Sequence, residues 1–190
     1  MTASCEAHDV SLLAAYSRGL DAIAALQVEL AAIGNGAPPS PRWSQAEFPG
    51  LDAAFAYALV RTRKPRRIVQ CEAGAWTDFF ARAIADGGLT TILEISPSLP
   101  DAAGRAQAGD VLFIRREVVD REMRDLVPVL AAGALVHVRA PGPAGDARLA
   151  PVWDSGWILD RMADALLARD LDTIPMLPGA RPSSLWFVKR

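Results

Sequence analysis

The strongest constraint on this chain is an alternation. Between Arg67 and Val138, short runs of β-branched and aromatic residues recur, separated by turn residues or by apolar residues at helical spacing. Ile68-Val69-Gln70-Cys71 reads as a buried strand, followed by a glycine turn at Gly74 and a helix that Thr77 caps and Gly87-Gly88 ends. Thr91 to Ile95, Val111 to Ile114 and Ala134 to Val138 read as further strands, with Val119, Met123, Leu126, Val127 and Leu130 lining a helix before the last. Strands that alternate with crossover helices lie parallel and are covered on both faces, so the expected class is α/β with a mainly parallel sheet. The tail predicts a helix from Gly156 to Arg169, then strands at Leu171 to Leu177 and Leu185 to Lys189. The short link from Pro178 to Ser184 lets those two pair antiparallel at a C-terminal edge.

Ahead of this pattern, Leu13, Tyr16, Leu20, Ile23, Leu26, Leu30 and Ile33 form the stripe of an amphipathic helix from Val10 to Ile33, which Gly34-Asn35-Gly36 stops. Pro38, Pro39, Pro41 and Pro49 mark an extended connector, and Leu51, Ala54, Phe55, Ala58 and Leu59 share one face of a second helix ending near Arg63. The expected organisation is an N-terminal helix over 1–36 and an α/β domain over 37–190, together one globular unit. The helix stripe has heptad spacing, with Gln27 as its one polar member. It fits a second copy of the chain, another protein, or the chain's own domain.

Composition narrows the function. With twenty basic and twenty-two acidic residues the chain has a net charge of −2, which provides no field for nucleic acid or anionic lipid. No apolar run approaches the ~18 residues of a membrane span, and Met1 to Asp9 lacks the form of a secretory signal, so a cytoplasmic location is expected. Cys5 and Cys71 lie far apart with no neighbouring ligands, and they read as free thiols without a metal. The basic run of Arg61, Arg63, Lys64, Arg66 and Arg67 sits at a helix C-terminus, where cations favour the dipole. His137, inside an apolar strand, reads as a packed core histidine, and Ser183-Ser184 lacks a nucleophile-elbow context.

The ordered blocks PRWSQAEFPGLDAAFAYALV, KPRRIVQCEAG, FFARAIADGG, TILEISPSLP, AGDVLFI, LVPVLAAGALVHV and SSLWFVKR resemble a bacterial branch of the class I S-adenosylmethionine-dependent methyltransferases, from about Pro41 to the C-terminus. The resemblance implies a Rossmann-like fold whose strands lie in the order second, first, third, fourth. It places the cofactor-binding positions at Glu72, Gly74, Ala75 and Ser96. At those positions this chain departs from the family. The family's E-x-G-x-G turn becomes Gln70-Cys71-Glu72-Ala73-Gly74, with Trp76 adding a bulky ring close by. The acid that clamps the ribose at the end of the second strand becomes Ser96, and Glu94 lies one pleat repeat too early to replace it. The stretch from Ser96 to Gly109 has room for about one helical turn around Asp101 to Gln107, so the family's third strand is missing and Thr91 to Ile95 becomes an edge.

At the strand ends where the resembling proteins carry acids and histidines, this chain has Arg115-Arg116 and Arg139. These arginines, with Trp43, form a candidate site for an anion or for a partner's carboxylates. Together these replacements predict a methyltransferase-like pseudoenzyme with no catalytic residues and no cofactor, acting as a binding or assembly module. Its expected partner is a second copy, as a homodimer or higher oligomer through the N-terminal helix, or another protein. The alternative is an active S-adenosylmethionine-dependent methyltransferase with an atypical cofactor site, using Gly74 and backbone groups.

Overall fold

The computed structural model describes residues 17–34, 37, 39–43, 50–117, 125–139, 153–158 and 184–190. Residues 17–25 (α1) and Gln27–Ala31 (α2) are helical, interrupted at Leu26. Gly50–Arg63 forms α3, Arg67–Gln70 β1, Ala75–Asp86 α4, Ile92–Ile95 β2 and Leu99–Arg105 α5. Val111–Glu117 forms β3, Leu135–Arg139 β4, Trp153–Ile158 β5 and Ser184–Lys189 β6, with a 3₁₀ turn at Val127–Val129 before β4.

The strands form a six-stranded sheet in the order β2-β1-β3-β4-β6-β5. The first four lie parallel, in the lanes expected for them. β6 runs antiparallel to both β4 and β5, so β5 is parallel to the rest. The antiparallel pairing is on the C-terminal side as expected, but the reversed strand is one lane in and β5 forms the outer edge. Trp153–Ile158 corrects one expectation, because Gly156 to Ile158 were assigned to a helix. Alternating Trp153, Ser155 and Trp157 with small or polar neighbours also suits an extended strand, and pairing with β6 decides between the two. The rest of that helix, the strand Leu171 to Leu177 and most of the helix through Val119 and Met123 lie outside the described residues. Between β2 and β3 there is α5 and no strand, and among the described residues β2 is an edge.

The alternation of each strand sorts its side chains into two cores. Ile68, Val111, Phe113, Leu135 and Trp186 face α3 and α4. Val69, Leu112, Ile114, Val136, Val138, Leu185 and Phe187 face α5 and the 3₁₀ turn. Helix α3 is buried on every side from Gly50 to Val60, which a helix tolerates only between two layers. The sheet supplies one layer. The other includes α1 and α2, whose Leu20, Ile23, Leu30 and Ile33 are each at most 3% exposed in the same core as Phe55 and Leu59. The stripe from Leu20 to Ile33 therefore packs on its own domain, while the expected start of that helix, from Val10 through Leu13 and Tyr16, lies outside the described residues. Glu29 reinforces this contact, with Oε1 3.6 Å from Arg61 Nη2. Lys64 stops α3 in the left-handed region at φ 49°, donating its N–H to the Val60 carbonyl.

The basic run following α3 is occupied structurally. Arg67 donates from Nε and Nη2 to the buried carboxylate of Asp110 and lies 3.6 Å from Glu94, while Arg66 Nε is 3.7 Å from Asp110. Arg105 also binds Glu94. These pairs tie β1 to β2 and to the turn that precedes β3. Among the described residues no helix is long and apolar enough to cross a membrane.

Candidate functional site

The site implied by the resemblance lies where β1 runs into α4. Gln70, the last residue of β1, is fully buried, and its Oε1 accepts from the Thr77 hydroxyl at 2.9 Å. That hydroxyl in turn accepts from the Gly74 N–H at 3.0 Å, and the Thr77 N–H donates to the Gly74 carbonyl at 2.8 Å. Gly74 is therefore the N-cap of α4, and Thr77, expected as the cap, reaches back from the third helical position. This chain of hydrogen bonds closes the turn on itself. The residue in the acid's place is a neutral amide turned inward.

Trp76 explains why a glycine stands at 74. Its indole is 1% exposed and folds back over the turn, donating from Nε1 to the Glu72 carbonyl at 3.2 Å. A Cβ on Gly74 would fall far inside the ~3.5 Å of carbon–carbon contact with Cη2, Cζ3 and Cζ2 of that ring. The space that a small residue opens at this turn is thus filled by the protein's own side chain. On one side the indole stacks on Phe113, with centroids 5.8 Å apart and planes at 27°. On the other the Arg115 guanidinium lies 5.0 Å from the ring centroid, a cation–π cap. Arg115 Nη1 is also 3.8 Å from Glu72 Oε2, a solvent-exposed pair of small energetic weight. Ala75 is the first residue of α4 and is half-buried.

At the end of β2, Ser96 is 1% exposed. Its N–H donates to the Gln70 carbonyl at 2.7 Å, and its hydroxyl donates to the Ser98 carbonyl at 3.3 Å. The hydroxyl is used within its own loop, and Glu94 is held by Arg67 and Arg105. The end of β2 thus presents no charged acceptor.

Of the arginine cluster, Arg115 is placed as described. Arg116 and Arg139 lie at the carboxyl ends of the adjacent strands β3 and β4, with Arg139 in register with Glu117, and their side chains fall outside the described set. Trp43 is a core residue at 4% exposure, its ring 5.3 Å from that of Phe79. It packs under α4 rather than lining the strand ends.

His137 is the packed core residue expected, and what sequence reasoning missed is its partners. Phe113, His137 and Trp186 occupy one rung across β3, β4 and β6. His137 stacks on Phe113 at 4.1 Å and 13°, and Trp186 meets it edge-on at 4.7 Å and 62°. His137 Nδ1 is 2.8 Å from the Ile114 carbonyl and Nε2 is 2.9 Å from Ser184 Oγ. A carbonyl only accepts, so Nδ1 carries the hydrogen and the Ser184 hydroxyl donates to Nε2. Burial pushes His137 down to about 3, with the Ile114 hydrogen bond opposing the shift. The imidazole stays neutral near pH 7. A serine does lie beside this histidine, yet both are buried and the base is weak. The pair fixes the ring between its neighbours and offers no access to a substrate. Two strands with 44 residues of chain between them meet here, and no local motif announces that contact.

Cys71 is half-buried and forms no disulfide, and among the described residues no cluster of His, Cys, Asp or Glu is arranged to hold a metal ion. No protein-family model matches this chain, and no curated protein matches it either.

Proposed function

We propose that this chain is a non-catalytic member of the class I S-adenosylmethionine-dependent methyltransferase fold, with a Rossmann-like framework retained as a binding or assembly module. The observation that carries this reading is the Trp76 indole. It occupies the glycine turn where the resembling enzymes admit their cofactor, and it is anchored there by Phe113, Arg115 and the Glu72 carbonyl. The strand order β2-β1-β3-β4, with one antiparallel strand after it, supports the framework. Gln70 and Ser96, both buried in local hydrogen bonds, support the loss of the cofactor. The remaining strand-end arginines give the module an anion-friendly mouth, suited to an acidic ligand or a partner's carboxylates. Association with a second copy or another protein belongs to the same reading. It uses a surface other than the Leu20 to Ile33 stripe, which is already covered.

Calorimetry of the purified chain with S-adenosylmethionine and with its demethylated product tests this directly. Losing a charged, bidentate ribose acceptor weakens binding by ~1.5–3 kcal/mol, roughly ten- to a hundredfold, before the filled turn is counted. The expected result is no measurable heat of binding. Micromolar or tighter affinity would overturn the proposal in favour of an active methyltransferase with an atypical site. The triple change Trp76→Gly, Glu72→Gly and Ser96→Asp should then be compared, since it removes the plug and restores both family-type positions.

A further inference from the structure

Where α1 packs on α3, the two helices leave a pocket of about 290 Å³ between them. Its floor is apolar. Ala22 and Ala58 are too small to fill the space, and the edges of Phe55 and Leu59 line it beside them. Its rim is cationic, with Arg18 from α1 and Arg63 from the last turn of α3, both exposed residues. Among the described residues no Asp or Glu lines it. Glu29 is drawn to Arg61 instead, and Asp21 accepts from the Ser17 hydroxyl at 3.5 Å. The apolar packing of Leu20 and Ile23 fixes α1 on α3 and so sets two like charges at one mouth, a repulsion that an anion between them relieves. Arg63 registers that repulsion: partial burial, and then the Arg18 charge, push its guanidinium below the ordinary value.

We propose that this pocket binds a small amphiphilic acid, with its anionic head group between Arg18 and Arg63 and a short apolar body over Ala22 and Ala58. The size selects a small molecule, since about 290 Å³ lies at the lower end of the ~300–1,000 Å³ of ligand pockets. The sign selects an acid, and guanidiniums donate forked hydrogen bonds that match a carboxylate or phosphate head. The apolar floor selects against a bare inorganic anion, which would leave Ala22 and the ring edge of Phe55 uncovered. None of the lining residues belongs to the Gly74 turn or to the strand ends, so this site is separate from the one implied by the resemblance.

Octanoate is the probe, titrated into the purified chain by calorimetry and ligand-observed NMR. It should bind at a single site with a Kd of about 1 mM or tighter. Octylammonium keeps the tail and reverses the charge, and inorganic phosphate keeps the charge and lacks the tail; each should bind at least about tenfold more weakly than octanoate. Octyl phosphate, run beside octanoate, tells the two head groups apart, and tight binding of either supports the site. Arg18→Met, at an exposed position, should weaken octanoate about tenfold or more with unchanged circular dichroism. Ala22→Leu, which is half-buried and extends a side chain over the floor, should weaken it at least as much. Equal binding of octylammonium would reduce the pocket to an apolar patch, and equal binding of phosphate to a pair of cations; either overturns the proposal. So does octanoate binding that both substitutions leave unchanged, or the absence of saturable binding. None of these results bears on the cofactor calorimetry, so the two proposals fail separately.

Discussion

If Gly74 is kept small for the indole of Trp76 and not for a ligand, an alanine at 74 must damage the protein only while Trp76 is present. Gly74 has φ 179°, extended backbone that any residue adopts, so alanine brings no torsional penalty there. Its Cβ would overlap three atoms of the indole, which is 1% exposed and has no room to retreat toward Phe113. The ring must leave its slot, and the expected loss approaches that of removing the side chain altogether, ~3–5 kcal/mol for a buried tryptophan. Trp76→Ala should cost a similar amount. Once the ring is gone, Gly74→Ala should cost at most about 1 kcal/mol, the ordinary price of a poorer N-cap. The double-mutant cycle thus predicts a coupling of roughly 2–4 kcal/mol. Urea denaturation followed by far-UV circular dichroism measures all four corners. Equal costs for Gly74→Ala in the two backgrounds would refute the reasoning and return the glycine to some other purpose.

His137 should make the fold acid-sensitive in a defined window. Its folded value of about 3 lies below the usual 6.5, so the unfolded chain binds the proton first and stability falls as pH drops below 6.5, by about 2 kcal/mol between pH 8 and pH 5. Comparing urea midpoints with His137→Phe, which keeps the stack and removes the titration, should isolate that slope; identical slopes would rule it out. Tyr57 should give the opposite behaviour at high pH. Burial, and then its 2.6 Å hydrogen bond to Asp86, raise it to about 12, so the stability it contributes is complete below pH 10 and is lost as pH climbs toward 12. Tyrosinate absorbance at 295 nm should show one phenol ionising late, and its early ionisation would contradict the contact. Arg67→Met should lose about 3 kcal/mol in thermal or urea unfolding, because it leaves the fully buried Asp110 carboxylate with the longer Arg66 contact and the Gln107 N–H. A loss below 1 kcal/mol would mean that water reaches Asp110.

The parallel half of the sheet was legible because its signals are local. The runs around Ile68, Val111 and Leu135 show their burial in their own residues, the Ile92 run shows its strand character, and Gly87-Gly88 ends α4 where expected. The C-terminal part was less legible. Trp153–Ile158 carries both periods, and only its pairing with β6, made across a long interval of chain, decides that it is a strand. At the site, the replacements at Gln70, Glu72 and Ser96 could be read against the resemblance, and Trp76 stood out by size. That the indole folds back over Gly74 could not be read, because it depends on the Phe113 ring across the sheet. Trp43 misled for the same reason: a tryptophan in a proline-rich connector suits a surface as well as a core, and Phe79 settles which. His137 and Ser184 gave no warning of each other, since their contact exists only once β6 lies beside β4.

The position of β6 also sets the order in which this molecule can be finished. β6, made after β5, is an interior lane, and among the described residues β5 touches the sheet only through it. Translation from Arg139 to Ser184 takes roughly 2 to 9 s at 5–20 residues per second. For that time β4 has an open flank and β5 has no neighbour in the sheet. A chain that stops short of Ser184 therefore lacks more than one strand: the flanks of β4 and β5 that β6 pairs are left unmatched, and His137 loses its hydroxyl partner and the ring of Trp186 together. Residues 184–189 thus hold the C-terminal half of the sheet together, and products truncated before them should be the ones that chaperones retain.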